Sequence, residues 1–263
     1  MTILLHTPYG SHHKESSLMY LVANYLHSIN LSVLQITCNG LFSLCDRDEE
    51  NSWKRQIDSC LSCISDQCSL ARWSSIGRSD LSKYIQPDEI VSTRRMVNGL
   101  SSANLKKVKY YGIFLYDLCL ESFKLRSGGG LPDLANKKHE QLIRRYMLSA
   151  MRMCLSVKRL LNIVRPELTL LASGEDFITR SYIEQAKLQK KEVILFKMDI
   201  HERCVKIINL QAPKVFNCPL LINDVTSMRG EVSTWPKELA AAINDIVSFL
   251  GVSDNQITLP LAR

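Results

Sequence analysis

Several signatures of membrane, secreted and hydrolytic proteins are missing from this sequence of 263 residues. No stretch approaches the roughly 18 consecutive apolar residues that a membrane-spanning helix needs. The first six residues have neither the basic start nor the small-residue cleavage site of a secretory signal peptide. There is also no G-x-S-x-G elbow and no acidic cluster of the kind that hydrolytic enzymes use. We therefore expect a cytoplasmic protein without a transmembrane segment.

The composition is ordinary for a globular domain except in its cysteine content. Apolar residues make up 46% of the chain and charged residues 22%, and the chain is long enough to bury a large core. Nine cysteines are present, an odd number in a chain without an export signal, which favours metal ligands or redox thiols over a disulfide framework. The net charge of +7 favours anionic partners without selecting among nucleotides, phosphates, nucleic acid and membrane surfaces.

The apolar pattern predicts alternating strands and helices. An apolar run over residues 2–6 is followed by a helical pattern over 14–28 and by a second β-rich run over 31–37. The same alternation returns over 168–172, 178–189 and 192–198. Short, wholly apolar strands of this kind are typical of a parallel sheet covered on both faces. The sequence therefore predicts an α/β fold with a Rossmann-like parallel sheet flanked by helices, as a single domain over residues 1–263.

Five further segments interrupt or extend this alternation. Residues 38–77 form a cysteine-rich insert after the second strand, longer than an ordinary connection and hence a candidate functional segment. A helix is predicted over 87–98, where proline stands at the start and Gly99 follows the end. The glycine-rich residues 127–132 predict a flexible link. A long helical pattern over 136–164 and a last one over 235–250 complete the chain.

The cysteine spacing is the strongest chemical signal in the chain. Cys38 ends a predicted strand, Cys45 follows it, and Cys60 and Cys63 form a C-x-x-C pair that presents two sulfurs to one ion. Four thiolates suit either Zn(II) or an iron–sulfur cluster. The remaining alternatives are unligated thiols and a redox-active C-x-x-C pair. Cys68 is a surplus thiol, and we expect the isolated Cys119, Cys154, Cys204 and Cys218 to be small core residues.

Two loops follow predicted strands and carry residues that can bind a ligand. The first contains Gly10, Ser11, His12, His13 and Lys14, and the second contains Ser173, Gly174 and Glu175. Ligands of open α/β sheets bind beyond the carboxyl ends of strands, so both loops are well placed. The first loop matches neither the Walker A nor the G-x-G-x-x-G pattern. A polar turn explains it equally well, and a helix cap at Ser173 or Asp176 explains the second.

The long predicted helix carries five basic residues, which are Arg144, Arg145, Arg152, Lys158 and Arg159. Such a pattern is usually a solvated helix face. Aromatic residues are not interleaved with it, so we do not expect nucleic acid among the partners of this helix.

Several short motifs resemble the N-terminal half of glycosyltransferase-like proteins of bacterial capsule and surface-polysaccharide biosynthesis. They are distributed over most of residues 1–200, and they comprise His12-His13-Lys14, Ala23-Asn24-Tyr25-Leu26, Ile36-Thr37-Cys38-Asn39-Gly40 with Cys45, Ser59-Cys60-Leu61-Ser62-Cys63, Leu81-Ser82-Lys83-Tyr84-Ile85, Pro87-Asp88-Glu89, Arg165-Pro166-Glu167 and Ala172-Ser173-Gly174. Where that group often has Asn-Gly after the second buried strand, this chain has Ser173-Gly174.

The resemblance implies a GT-B-like N-terminal domain that receives the glycan acceptor. In two-domain transferases of this kind, the C-terminal domain holds most of the nucleotide-sugar donor, and a chain ending at Arg263 is short for a second domain. The resemblance therefore predicts an acceptor-binding or partner-dependent glycosyltransferase-like protein with a cysteine-ligated metal site. The alternative hypothesis is a non-enzymatic metal-binding or redox-sensing regulator.

Overall fold

A computed structural model of the chain defines the fold. It describes residues 2–7, 14–46, 57–74, 76–172, 174–199, 204–211 and 214–219, and parts of a helix between 241 and 248. The predicted helix over 235–250 therefore lies largely outside the described residues.

In the part of the chain that the structure describes, nine strands form a large sheet and a small hairpin. Their bounds are β1 Thr2–His6, β2 Ser32–Thr37, β3 Gly77–Asp80, β4 Lys109–Tyr110, β5 Ile113–Phe114, β6 Leu168–Ala172, β7 Glu192–Asp199, β8 Cys204–Asn209 and β9 Lys214–Pro219. The large sheet has the order β3-β2-β1-β6-β7-β8-β9, and β4 pairs with β5. The first five strands of the large sheet run parallel, and β8 and β9 are antiparallel. The predicted α/β, Rossmann-like fold class is confirmed.

Six complete α-helices accompany these strands in the described ranges. Their bounds are α1 Lys14–Ser28, α2 Ile57–Ser74, α3 Pro87–Asn98, α4 Leu115–Ser127, α5 Lys137–Val164 and α6 Phe177–Leu188. Two short 3-10 helices cover Leu81–Tyr84 and Ser102–Lys107. α1 and α3 have the predicted bounds, whereas α2 and β3 lie within and just after the insert, where no element was predicted.

Alternating side chains of the strands supply two separate cores. On β1, Ile3 and Leu5 face α1, whereas Leu4 faces the layer that contains α4, α5 and α6. All five residues of β6 are buried, as expected for a central strand covered on both faces. The sheet is therefore the middle layer of three, and the ends of its strands are the natural place for a site.

The glycine-rich link joins two helices that pack on each other. Gly128 adopts the left-handed conformation that ends α4, and its backbone N–H bonds to the carbonyl of Lys124. α5 then begins at an Asn136 cap, whose side chain accepts a hydrogen bond from the Lys138 amide, and returns along α4. The predicted link over residues 127–132 therefore covers the last residue of α4 and the first part of the connection to α5.

None of the helices in the described part of the chain combines the length and the apolar character that crossing a membrane requires.

Candidate ligand-binding crevice

The order of the parallel strands reverses between β1 and β6. β2 and β3 extend the sheet on one side of β1, whereas β6 and β7 extend it on the other. His6 is in register with Leu171, so the carboxyl ends of β1 and β6 lie side by side. The helices that follow these strands, α1 and α6, cover opposite faces of the sheet. Open α/β sheets bind ligands in the crevice that such a reversal creates.

The two segments predicted to bind a ligand follow these neighbouring strands. Lys14 is the first residue of α1, and Gly174 and Glu175 stand between β6 and α6. The other predicted ligand-binding residues, Gly10, Ser11, His12, His13 and Ser173, lie outside the described residues. Their roles stay predictions, as does that of the Lys14 side chain.

Gly174 makes the turn after β6 in a conformation that disfavours other residues. Its φ is 103°, and a Cβ atom at this position would stand 2.8 Å from Cδ2 of Leu195. Its backbone N–H donates to the Thr179 hydroxyl at 3.1 Å. The chain can therefore pass close over β7 here only because the residue is glycine.

Glu175 is the exposed carboxylate of this edge. Its side chain is 65% exposed, and Oε1 pairs with Nζ of Lys197 on the neighbouring strand β7. An exposed ion pair of this kind contributes little to stability, since both groups remain solvated. Both side chains are consequently available to exchange their mutual contact for hydrogen bonds to a ligand.

Asp176 caps α6 and occupies its first amide groups. Oδ1 accepts hydrogen bonds of 2.9 Å from the Ile178 and Thr179 amides, and Oδ2 accepts one of 2.7 Å from the Thr179 hydroxyl. The cap expected at Ser173 or Asp176 is therefore provided by Asp176. A helix N-terminus that already holds a carboxylate has little capacity for a phosphate, because the same amides would bind both.

A second carboxylate, Asp46, lies beneath this cap. Ser122 links the two elements, because its hydroxyl donates to Oδ2 of Asp46 and accepts a 2.9 Å hydrogen bond from the Phe177 amide. Burial and then the Asp176 carboxylate raise the pKa of Asp46 to about 7, against the opposing contributions of Ser122, Tyr146 and Arg126. No local sequence pattern indicated this pair, because Asp46 and Ser122 are 76 positions apart.

The end of β1 is held by buried side chains on both faces. His6 stacks on Tyr182 of α6, with ring centroids 5.1 Å apart. Burial, opposed by a backbone hydrogen bond at Ile36, lowers the pKa of His6 to about 3, so its imidazole is neutral at pH 7. On the opposite face, the Thr7 carbonyl accepts a 2.7 Å hydrogen bond from the Gln67 amide of α2. These contacts fix the strand end that borders the crevice, and they tie the cysteine-rich insert to it.

Polar contacts also join the ends of β2 and β3. The Thr37 hydroxyl donates to Oδ1 of Asp80 at 2.7 Å, and Arg78 donates to the same oxygen at 3.1 Å. Lys83 lies 3.8 Å from the other carboxylate oxygen of Asp80. The carboxyl edge of the sheet is therefore polar from β3 to β7.

The four predicted metal ligands are distributed over different elements. Cys38 and Cys45 pack with the core on the α4–α6 side of the sheet. Cys60 and Cys63 lie on α2, which contacts α1 on the other side of the sheet. Within the described ranges, no three His, Cys, Asp or Glu side chains are grouped to hold a metal ion. Zinc or an iron–sulfur cluster at this site stays a prediction.

The remaining described cysteines are structural. Cys119, Cys154 and Cys204 are buried, as predicted, and none of the eight described cysteines forms a disulfide bond. Cys68, the surplus thiol, contacts the Arg78 guanidinium. The side chain of Cys218 lies outside the described residues.

The arginines of α5 bind other segments of the protein. The prediction that they form a solvated helix face was therefore wrong. Arg144 donates to the carbonyls of Val97 and Leu100, and Arg145 donates to that of Ser43. The other two arginines behave alike: Arg152 donates to the Leu41 carbonyl, and Arg159 forms an ion pair with Glu89. Most of the basic groups on α5 therefore form hydrogen bonds or ion pairs with the segments that pack on this helix.

Comparison with known proteins adds no family assignment. No protein-family model matches the chain, and no curated protein matches it. Among solved structures, it is similar to a CDPS from Fluoribacter dumoffii, with 7% identity and a TM-score of 0.44 over 74% of this chain and 88% of that one. It is also similar to Leishmania major tyrosyl-tRNA synthetase in complex with tyrosinol, with 11% identity and a TM-score of 0.39 over 74% of this chain and 25% of that one. Similarities at this level carry no functional conclusion.

Proposed function

We propose that the chain is a glycosyltransferase-like protein of bacterial surface-polysaccharide biosynthesis that binds the glycan acceptor in the crevice between β1 and β6. The observation that carries the proposal is the reversal of strand order at this point, with Glu175 and Lys197 at its edge. The resemblance of the short sequence motifs supplies the biological setting.

The charges at the crevice favour a neutral, hydroxyl-bearing ligand over a nucleotide diphosphate. Asp176 already occupies the first amides of α6, and Asp46 lies behind it. A phosphate at this helix end would have to displace a carboxylate and approach a second acidic group. Sugar hydroxyls, in contrast, can donate to Glu175 and accept from Lys197. The donor nucleotide sugar would then be held elsewhere, by a partner subunit or another part of the assembly.

The role that this arrangement supports for Glu175 is orientation of an acceptor hydroxyl. A carboxylate within hydrogen-bond reach of a hydroxyl can also accept its proton as the oxygen attacks the sugar. Lys197 holds the carboxylate in place in the absence of the acceptor. The predicted thiolate metal would be structural in this account and would connect the insert to the sheet.

Titration calorimetry with a panel of short surface-glycan oligosaccharides and of nucleotide sugars tests the proposal. We expect the full chain to bind at least one oligosaccharide, and Glu175→Gln to weaken that binding about tenfold, the usual effect of losing one hydrogen bond to a charged group. Glu184→Gln is the matched control, because Glu184 makes a similar exposed pair with Lys187 on the same helix.

Two results would count against the proposal. If no oligosaccharide binds, alone or in the presence of the neighbouring gene products, the acceptor-binding function is wrong. If Glu175→Gln and Glu184→Gln reduce binding equally, the ligand does not occupy the crevice.

A further inference from the structure

A short segment between α3 and α4 combines lysines with exposed aromatic rings, and the crevice does not use it. We name residues 106–116 the lysine–aromatic hairpin; it contains β4, the turn at Tyr111 and Gly112, and β5. Residues 90–116 contain five basic residues and no acidic one. The hairpin is closed at its base by the Leu115 amide, which donates to the Val108 carbonyl at 3.1 Å.

The lysines of this surface are not neutralised within the protein. Lys106, Lys107 and Lys109 are exposed, and Lys158 of α5 adds a fourth ammonium group beside the turn. None of the four takes part in an ion pair among the residues that the structure describes. Their charge is therefore directed to solvent or to an anionic partner.

Aromatic rings are interleaved with these ammonium groups. Lys158 Nζ lies 3.7 Å from the ring centroid of Tyr111, and Lys109 Nζ lies 4.3 Å from that of Phe114. The two rings remain 43% and 42% exposed. A Cβ atom placed on Gly112 would meet no atom within 4 Å, so this position of the turn faces open space.

We propose that the lysine–aromatic hairpin docks this protein on an anionic lipid bilayer. Clustered lysines near a bilayer are attracted by acidic headgroups, and exposed aromatic rings insert at the headgroup level. The proposal goes beyond acceptor binding and stands independently of it. It places the chain peripherally on a membrane through a charged surface that carries exposed aromatic rings.

Two features favour lipid over single-stranded nucleic acid. The cations of the hairpin are all lysines, which lack the planar fork with which arginine pairs to phosphates and bases. In addition, an ammonium group already covers one face of the Tyr111 ring and one face of the Phe114 ring, which leaves less ring surface for base stacking.

Vesicle flotation with the full chain tests the proposal. We expect binding to mixed phosphatidylglycerol–phosphatidylcholine vesicles that falls with added salt, and no binding to pure phosphatidylcholine vesicles. The triple variant Lys106→Gln, Lys107→Gln, Lys109→Gln should bind the anionic vesicles roughly a hundredfold more weakly. Each lysine near an anionic surface raises the affinity roughly fivefold, and the three factors multiply.

A second triple variant removes the same charge from another surface. Lys187→Gln, Lys190→Asn, Lys191→Gln alters the end of α6 and the turn after it, where asparagine suits the positive φ of 52° at position 190. It should leave vesicle binding nearly unchanged. The pair Tyr111→Asn, Phe114→Ser should weaken binding about tenfold, because two partly inserted rings are lost while every lysine remains. Thermal unfolding confirms that each variant is folded.

Three results would overturn the proposal. Equal binding to neutral vesicles would show that headgroup charge is not recognised. Equal losses in the two lysine variants would show that only net charge matters. Binding of a single-stranded oligonucleotide that depends on Lys106, Lys107 and Lys109, without vesicle binding, would assign the surface to nucleic acid instead.

Discussion

At the scale of single residues, the least expected feature is the buried carboxylate of Asp46. It lies beneath the capped end of α6, is hydrogen-bonded by Ser122 and is close to Asp176. Nothing in the local sequence marks it, because the groups that surround it come from α4, α5 and α6. The candidate loops, in contrast, were predictable, since Gly174 and Glu175 stand directly after a strongly apolar strand.

Asp46 makes the stability of the protein depend on pH. Its pKa is raised from 3.8 to about 7 in the folded state, so the folded protein keeps a proton that the unfolded chain releases between these values. The contribution of Asp46 to the free energy of unfolding should therefore fall as pH rises across this window, by up to about 4 kcal/mol in total, and then level off. The lowered pKa of His6 acts in the opposite direction, so the Asp46 contribution is obtained by comparing Asp46→Asn with the parent at the same pH. Asp46→Asn should remove this dependence and make the protein more stable than the parent at pH 8.

Denaturant titrations of the parent and Asp46→Asn at about pH 4.5 and about pH 8 check this prediction. Asp88→Asn is the control, because Asp88 is exposed in the first turn of α3. A variant at position 46 that is less stable than the parent at the higher pH would contradict the account.

Gly174 is the residue whose backbone most constrains the crevice. Gly174→Ala combines a φ of 103° with a close approach to Leu195, and we expect it to cost about 2–3 kcal/mol. Gly128→Ala shares the positive φ but meets no neighbour within 4 Å, so it should cost about 1 kcal/mol. Urea unfolding of both variants measures the difference. Equal losses would show that the contact with Leu195 is relieved at no cost.

At the scale of secondary-structure elements, the sequence predicted those with a clear apolar pattern. α1 and α3 have the predicted bounds. α5 begins at Lys137, one residue later than predicted, because Asn136 is its cap. α2 was missed because its exposed Ile57 and Leu61 obscure an apolar stripe. β3 was missed because the sequence Gly-Arg-Ser-Asp of this edge strand has no apolar residue.

The basic stretch at residues 106–111 forms a strand only in part. A 3-10 helix covers Ser102–Lys107, and β4 contributes two residues. Charge and aromatic content therefore described this segment better than strand propensity did, and they are the features on which we base membrane docking.

The cap of α6 should contribute more to the free energy of unfolding than an ordinary helix cap does. Asp176 accepts three hydrogen bonds in a buried position, so Asp176→Ala should destabilise the protein by about 2 kcal/mol. Asn136→Ala removes one exposed hydrogen bond from the start of α5 and should cost at most about 1 kcal/mol. Thermal unfolding compares the two variants. A smaller loss at Asp176 than at Asn136 would mean that relief of its repulsion with Asp46 outweighs the cap.

At the scale of the whole molecule, the parallel sheet could be predicted from the sequence, whereas the position of the insert on the sheet could not. Strand–helix alternation was sufficient to predict a parallel sheet, and a reversal of strand order is the usual way to build one. Which faces the insert occupies was not predictable, because no local pattern encodes the contact between Gln67 of α2 and the end of β1. For the same reason, spacing alone did not show how Cys38 and Cys45 relate to Cys60 and Cys63.

Metal analysis of the purified protein tests whether the predicted cysteine site binds a metal. We expect protein purified without oxygen to contain zinc, or iron with sulfide, and the Cys60→Ser, Cys63→Ser variant to lose it. Cys119→Ala is the control, because it removes a thiol that is buried in the core and far from the insert in sequence. Elemental analysis and the visible spectrum measure both. Brown protein whose spectrum responds to oxidants would favour the redox-sensing alternative, and the absence of metal from the parent would refute the site.

The central claim is that a glycan acceptor binds at the carboxyl ends of β1 and β6, and hydrogen–deuterium exchange with a bound oligosaccharide tests it most directly. We predict that saturation with the acceptor slows exchange at the ends of these two strands and over residues 174–179, while the lysine–aromatic hairpin is unaffected. Slowed exchange confined to other segments, or no change at a saturating concentration, would contradict the claim.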